Sequence, residues 1–330
     1  RRRAALASPS HGEGLGVRPH ALLTVIANPY AGRHGRLARL DAALALLTQR
    51  GWRVEWLTTG APGHAQELAA HAAAAGSDCV LVCGGDGTIN EAVNGLAGSE
   101  TALAVLPAGT VNLWAKEVGL PTEPERAVRL ILSGERRRVD LGRAGERYFL
   151  MLASVGVDAY AVQAVTAERK RRWGRYAYAA AGIADLLSHG GRPLAIEAGG
   201  IRFRGRALAP VIGNTRLYGG LLYATHLARI DDGLLDLRVY AGTGARQLLP
   251  QLVRTIAGRP PRADEVYLQK RELRIAGPRS LPVQADGEHI GALPMTFRAV
   301  PTALTVVVPR GLRSPLFTPK PEQPAAAAPG

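Results

Sequence analysis

Three glycines, an aspartate and a hydroxyl stand together at Gly84-Gly85-Asp86-Gly87-Thr88, directly after the apolar run Cys79 to Cys83. Glycines at this spacing put no Cβ atoms between a ligand and the backbone amides, and amides that open a helix attract phosphate. Asp86 is the residue type that holds a hard cation or its water. Thr88 and Glu91, three apart, have the spacing of a capping box, which sets the expected helix start at Thr88. The chemistry these residues could support is binding of a nucleotide triphosphate. For the glycines alone, an ordinary βα turn accounts for the stretch equally well.

Other loops count against that plainer account. Pro107-Ala108-Gly109-Thr110-Val111-Asn112 follows the apolar run Ala102 to Leu106, and Asn28-Pro29-Tyr30-Ala31-Gly32 follows Ala21 to Ala27. Loops at the carboxyl ends of neighbouring parallel strands enclose a cleft, which is where open α/β sheets bind ligands. Far along the chain, Glu288 follows the tight turn Asp286-Gly287. A carboxylate held there can orient an acceptor hydroxyl, although from local sequence a solvated turn acid is the plainer reading.

Other chemistries lack their residues. None of the four lysines (Lys116, Lys170, Lys270, Lys320) follows a glycine, so there is no Gly-Lys-Ser/Thr phosphate loop. Asp140-Leu141-Gly142 has no His-Arg-Asp element to accompany it and reads as a strand end after Val139. Histidine and cysteine are too scattered for a zinc site. Cys79 and Cys83 lie about 13 Å apart on an extended strand, too far for a disulfide, and read as core thiols of a reducing compartment.

The elements that must position these loops follow from the hydrophobic pattern. Strands at Ala21 to Ala27, Trp52 to Leu57, Cys79 to Cys83 and Ala102 to Leu106 alternate with helices at Leu37 to Gln49 and Gly63 to Ala75 and after Thr88. This order predicts a parallel, doubly wound α/β sheet. After about Ser133 short strand-like runs predominate, with helical stretches only near Ala161 to Ser188 and Ala245 to Ile256, which predicts a β-sandwich-like second domain. The expected division is a disordered tail over 1–20, the α/β domain over 21–143, the β-rich domain over 144–310 and a low-complexity tail over 311–330. The last segment of the β-rich domain can rejoin the first.

The net charge of +14 and pI near 10.5 favour anionic partners. Arg169 to Tyr176, four arginines, a lysine, a tryptophan and a tyrosine among eight residues, is either a contact for an anionic membrane surface or a solvated helix face. No nucleic-acid reader motif occurs. No apolar run approaches the ~18 residues of a membrane span, so the expected location is cytoplasmic, peripheral to the inner face of the membrane. A homodimer is an admissible assembly.

In order along the chain stand Asn28-Pro29-x-Ala31-Gly32, Gly84-Gly85-Asp86-Gly87-Thr88-x-Asn90-Glu91, Leu106-Pro107-x-Gly109-Thr110-x-Asn112, Asp232-Gly233 and Asp286-Gly287-Glu288. This ordered set resembles the diacylglycerol kinase catalytic family, which is similar to sphingosine and ceramide kinases, over roughly residues 21 to 310. Gly-Gly-Asp-Gly-Thr alone is also shared with NAD kinases and phosphofructokinases, and the nucleotide domain is expected to have their fold. The resemblance implies an ATP- and Mg²⁺-dependent kinase acting on a hydroxyl of a membrane lipid such as diacylglycerol or a sphingoid base. It implies ATP contacts at Asn28, Pro29, Tyr30, Ala31, Gly32, Thr59, Gly84, Gly85, Asp86, Gly87, Thr88, Ile89, Asn90 and Thr110. It implies a structural Mg²⁺ on the carbonyls of Arg229 and Leu234 and the side chain of Asp232. It implies Glu288 as proton acceptor, with Asp86 and Asp140 organising water and Mg²⁺ near the phosphates. One departure is Leu113, where many bacterial members carry Asp after the matching asparagine. The alternatives are a soluble kinase of the NAD kinase type and a catalytically silent lipid-binding regulator.

Overall fold

The structure is a computed structural model, and it describes residues 21–31, 40–156, 190–219, 222–262 and 265–319. Gly32, the helical stretch 161–188 and the basic run 169–176 lie outside the described residues.

The first half is built on parallel strands β1 (Leu22–Ala27), β2 (Arg53–Thr58), β3 (Cys79–Gly84) and β4 (Ala102–Pro107). Strands β3 and β4 are apolar and buried along their whole length, as strands covered on both faces must be. Strand β2 lies at the sheet edge, and its residues Arg53, Glu55 and Trp56 are exposed. The spatial order β4-β3-β1-β2 reverses direction between β1 and β3. That reversal is a topological switch point, where two loops diverge and leave a crevice.

Helices α1 (Leu40–Gln49), α2 (His64–Ala74), α3 (Asp86–Leu96), α4 (Leu113–Glu117) and α5 (Pro124–Leu132) accompany this sheet. Helices α2 and α3 approach closely at Gly95, where a Cβ would lie 2.3 Å from the carbonyl oxygen of Gln66. Only glycine permits that contact.

Two long strands join the halves. β5 (Glu135–Ala144) and β17 (Met295–Val308) run antiparallel, and β17 also pairs in parallel with β4 through Thr305 and Val306. The pairing slips between Val300 and Leu304, where Thr302 has a φ of 50°. Strand β5 contradicts the reading of residues 140–142 as a strand end. Its basic start, Glu135-Arg136-Arg137-Arg138, disguises a strand whose arginines find partners in Asp78 O, Glu135, Glu100 and the ring of Phe317 at the edge of the core.

The second half is an antiparallel β-sandwich-like unit. It comprises β6 (Arg147–Phe149), β7 (Leu152–Val155), β8 (Arg192–Ala198), β9 (Ile201–Gly213), β10 (Leu217–Tyr218), β11 (Leu222–Tyr223), β12 (Leu235–Ala241), β13 (Val266–Lys270), β14 (Glu272–Ala276), β15 (Pro282–Ala285) and β16 (Glu288–Ala292), with one described helix, α6 (Ala245–Ile256). Its core gathers Phe149, Phe297, Leu237, Ile275 and Val283. A separate core fills the α/β half. No helix among the described residues is long and apolar enough to cross a membrane.

Candidate active site

Three glycine-bearing loops leave the carboxyl ends of β1, β3 and β4 and meet at the switch point. The Asn28 amide N–H donates to Cys83 O at the end of β3 (3.0 Å), and its side-chain Nδ2 donates to Thr88 Oγ1 (3.0 Å). Asn28 Oδ1 also accepts the Tyr30 N–H (2.9 Å), which folds the first loop into an Asx turn. Thr59, at the end of β2, is buried and donates its N–H to Ala27 O.

The second and third loops touch glycine to glycine. A Cβ on Gly109 would lie 2.6 Å from the Gly85 Cα, so neither loop could carry a side chain here without opening the pair. Asn112, at a φ of 54°, closes its own turn with paired bonds to the Gly109 N–H and carbonyl, 2.8 Å each. Asp86 joins the loops, its Oδ1 accepting the Leu113 N–H at the start of α4 (2.7 Å).

The expected capping box does not form. Helix α3 begins at Asp86, two residues before Thr88, with Gly85 extended at its N-cap and no side chain bonded to the cap. Thr88 therefore falls inside the first turn, where its side chain fills the space a Cβ on Gly84 would need and its hydroxyl meets Asn28. Glu91 turns away from α3 and accepts the Ala65 N–H at the start of α2 (3.1 Å). The first amides of α3 are left to the crevice, with the positive end of the helix dipole behind them.

The residues of this stretch differ in accessibility. Gly85, Asp86 and Gly87 are accessible, whereas Gly84, Thr88, Ile89 and Asn90 are buried. Ile89 packs in the core, and the Asn90 amide is committed to protein partners. Pro29, Tyr30 and Thr110 are exposed at the rim, and Ala31 is half-buried.

Glu288 reaches this crevice from the other half of the molecule. Asp286 and Gly287, at φ of 47° and 85°, form the two-residue turn between β15 and β16, and Glu288 is the first residue after it. Its Oε1 lies 3.9 Å from where a Cβ on Gly87 would stand. Its Oε2 accepts from Arg147 Nη2 (2.8 Å), and Arg147 also donates to Asn90 Oδ1 (3.1 Å) and Gln66 Oε1 (2.7 Å).

Asp286 anchors the turn from inside. Its buried carboxylate accepts the N–H groups of Leu150, Met151 and Leu152 and the Asn90 Nδ2, all within 3.0 Å. Burial pushes the carboxyl up to about 6 against the opposing pull of those donors. Arg147 and this role of Asp286 escaped the sequence reading. The Asp-Gly pair signals a turn, but one arginine among many carries no local sign that it binds Glu288.

The last group lies around the turn after Ile230. Asp232 Oδ1 accepts the Leu234 N–H (3.0 Å), and Asp140 accepts the N–H groups of Gly233 (2.6 Å) and Thr302 (2.7 Å). The structure thus brings Asp140 to Asp232, and it is the slip in β17 that presents Thr302 to it. Burial raises the pKa of both carboxyls, and Asp231 adds repulsion to each. Among the described residues no three His, Cys, Asp or Glu side chains converge as a ligand set, so a cation here would draw on backbone carbonyls. One carboxylate with the carbonyls of Arg229 and Leu234 is an all-oxygen donor set, which suits Mg²⁺, and a cation would relieve the crowding of Asp140, Asp231 and Asp232.

Two family models match the chain in series. "Diacylglycerol kinase catalytic domain" covers residues 22–144, and "YegS C-terminal NAD kinase beta sandwich-like domain" covers residues 151–308. A diacylglycerol kinase of Mycobacterium tuberculosis is 33% identical over 306 residues, spanning 89% of this chain and 98% of that protein. The chain belongs to the diacylglycerol kinase catalytic family. Another relative, from Pseudomonas putida and described as a YegS-like lipid kinase, is 32% identical over 292 residues, 86% of this chain and 96% of that one. A crystal structure of a diacylglycerol kinase from Bacillus anthracis shares the fold, with a TM-score of 0.71 at 22% identity, covering 90% of this chain and all of that one. For this lipid-kinase family member, the two matched regions correspond to the two halves that supply the glycine loops and Glu288.

Proposed function

We propose that the protein transfers the γ-phosphoryl group of ATP, with Mg²⁺, to a hydroxyl of a membrane lipid such as diacylglycerol or a sphingoid base. The observation that supports this reading is the approach of Glu288 to Gly87, which joins a carboxylate of the β-rich half to the glycine loop of the α/β half.

The uncovered amides of Gly85 to Gly87 and the start of α3 receive the phosphates, the first task in a reaction that is mainly positioning and charge neutralisation. Glu288 takes the proton of the lipid hydroxyl as its oxygen bonds to the γ-phosphorus and the bond to the β-phosphate oxygen breaks, releasing ADP. Arg147 holds the glutamate in place through its second anchor at Asn90. Mg²⁺ bound with ATP supplies charge neutralisation on the phosphates. Asp232 and the carbonyls of Arg229 and Leu234 would hold a structural Mg²⁺, with Asp140 fixing their turn through Gly233.

The test is incubation of the purified protein with labelled ATP, Mg²⁺ and total membrane lipid extract, followed by identification of the labelled product. Label in a lipid phosphate is expected. Label in a phosphorylated NAD would overturn the proposal in favour of a soluble NAD-kinase-type enzyme. No label with any lipid alcohol would favour a silent regulator.

A further inference from the structure

Helix α6 carries more apolar surface than its core uses. Leu248 is buried and Leu252 packs beside it, against Leu208, Val211, Ala224 and Tyr240. Leu249, Val253 and Ile256, spaced four and then three residues apart, share the neighbouring face and are 57%, 60% and 67% exposed. α6 packs on β11, whose Tyr223 is also exposed, as is Leu227 further along the chain. Five of the eight large hydrophobic residues exposed among those described therefore fall between 223 and 256.

The charge on this segment is basic. From Gly242 to Arg262 there are four arginines and no acidic residue. Arg254 is engaged with Glu265 and the Pro260 carbonyl, while Arg246, Arg259 and Arg262 are exposed. An amphipathic helix with an exposed apolar stripe and arginines at its borders is built to lie in the interface of an anionic bilayer. A second copy of the chain fits the face poorly. Two-fold pairing would set the exposed Arg246, Arg259 and Arg262 near their own copies, while Glu265 is already engaged by Arg238 and Arg254. The patch also falls short of the roughly 20–30 residues a side of a stable interface.

We propose that the face formed by Leu249, Val253 and Ile256, with Arg246, Arg259 and Arg262, docks the protein on an anionic lipid surface. Its use in catalysis rests on the lipid-kinase reading. α6 touches β11, which pairs with β10, and Glu117 of α4 accepts the N–H groups of Arg216 and Leu217 in that hairpin. Since α4 begins directly after Asn112, this run of contacts ties the docking face to the glycine loops.

The experiment is co-sedimentation with vesicles of phosphatidylglycerol and phosphatidylcholine, compared with pure phosphatidylcholine, at low and high salt. Wild type is expected to bind the anionic vesicles and to be released by salt. The variant L249S/V253S/I256S should partition at least about tenfold less, since each apolar side chain contributes on that scale. The variant R246E/R259E/R262E should lose its preference for phosphatidylglycerol. Both should keep the wild-type melting temperature and the wild-type activity on a lipid alcohol dispersed in detergent micelles, while losing activity on vesicles. Unchanged vesicle binding in both variants overturns the docking face and leaves the kinase reading standing. Equal wild-type binding to both vesicle types overturns the anionic assignment. Conversion of a dimer to a monomer by the apolar variant, with vesicle binding retained, assigns the face to a second copy. Vesicle binding by wild type without transfer in micelles supports the docking face and overturns the kinase reading.

Discussion

The glycine loops and the Glu288 corner meet in one crevice but are built by opposite means. The loops are made of backbone: Gly85 lies against Gly109, the cap of α3 takes no side chain, and the residues open to the crevice are mostly glycine. The corner is made of side chains, in which Asp286, Asn90, Arg147 and Gln66 hold one another and Glu288. A surface of amides binds phosphate whatever the rest of the ligand is, whereas a carboxylate that must meet one hydroxyl has to be aimed. The difference teaches that the two halves should fail differently.

The sharpest break is at Glu288. A positioned acid-base group contributes about 10²- to 10⁴-fold, so Glu288→Gln should lose turnover on that scale while ATP affinity changes little. Measurement of kcat at saturating lipid, with ATP binding by calorimetry, decides it. A loss under about tenfold would reduce Glu288 to an ordinary turn residue.

Gly109→Ala tests the loop side. The added Cβ meets the Gly85 backbone at 2.6 Å, and overpacking of that kind costs about 1–3 kcal/mol. KM for ATP should rise, with Glu288-dependent turnover retained at saturating nucleotide. An unchanged KM would mean that the contact between the two glycines is not needed for the nucleotide.

Asp286→Asn probes the anchor beneath the corner. An amide cannot accept from all four donors, and a buried unsatisfied group costs about 1–3 kcal/mol, so the melting temperature should fall. The pH dependence follows from the sign of the shift. With the folded carboxyl near 6 and the unfolded one near its usual value of about 3.9, the folded state binds the proton more readily between them. The stability contributed by Asp286 therefore grows as pH falls through that window, and the gap between wild type and variant should widen from pH 7 to pH 4. A gap that narrows would show the four donors outweighing burial.

The smallest effect is expected at Arg147. Its pair with Glu288 is partly exposed, and such pairs contribute about 0–1 kcal/mol to stability. Arg147→Gln should leave the melting temperature nearly unchanged. Its mark should be a fall in kcat of about tenfold, smaller than the 10²- to 10⁴-fold contribution of the acid-base group it positions, with KM for ATP held. Unchanged kcat would show that Glu288 is aimed without it.

What the sequence determined by itself is what short-range physics decides. The apolar runs Cys79 to Cys83 and Ala102 to Leu106 read as buried strands, the glycines that follow mark where those strands end, and Asp286-Gly287 reads as a two-residue hairpin turn because both residue types tolerate positive φ. Tertiary structure decided where the side chains went. Thr88 and Glu91 have capping-box spacing, yet Thr88 meets Asn28, 60 residues away, and Glu91 meets Ala65, 26 away. Asn90 stands beside the phosphate loop in sequence but is claimed by Asp286, 196 residues on, and Arg147 finds Glu288 across 141 residues. The pairings of Asn90 with Asp286 and of Arg147 with Glu288 depend on how β5 and β17 bring the halves together. A hydrogen bond between distant residues leaves no period, composition or spacing in the chain, so only the folded molecule records it.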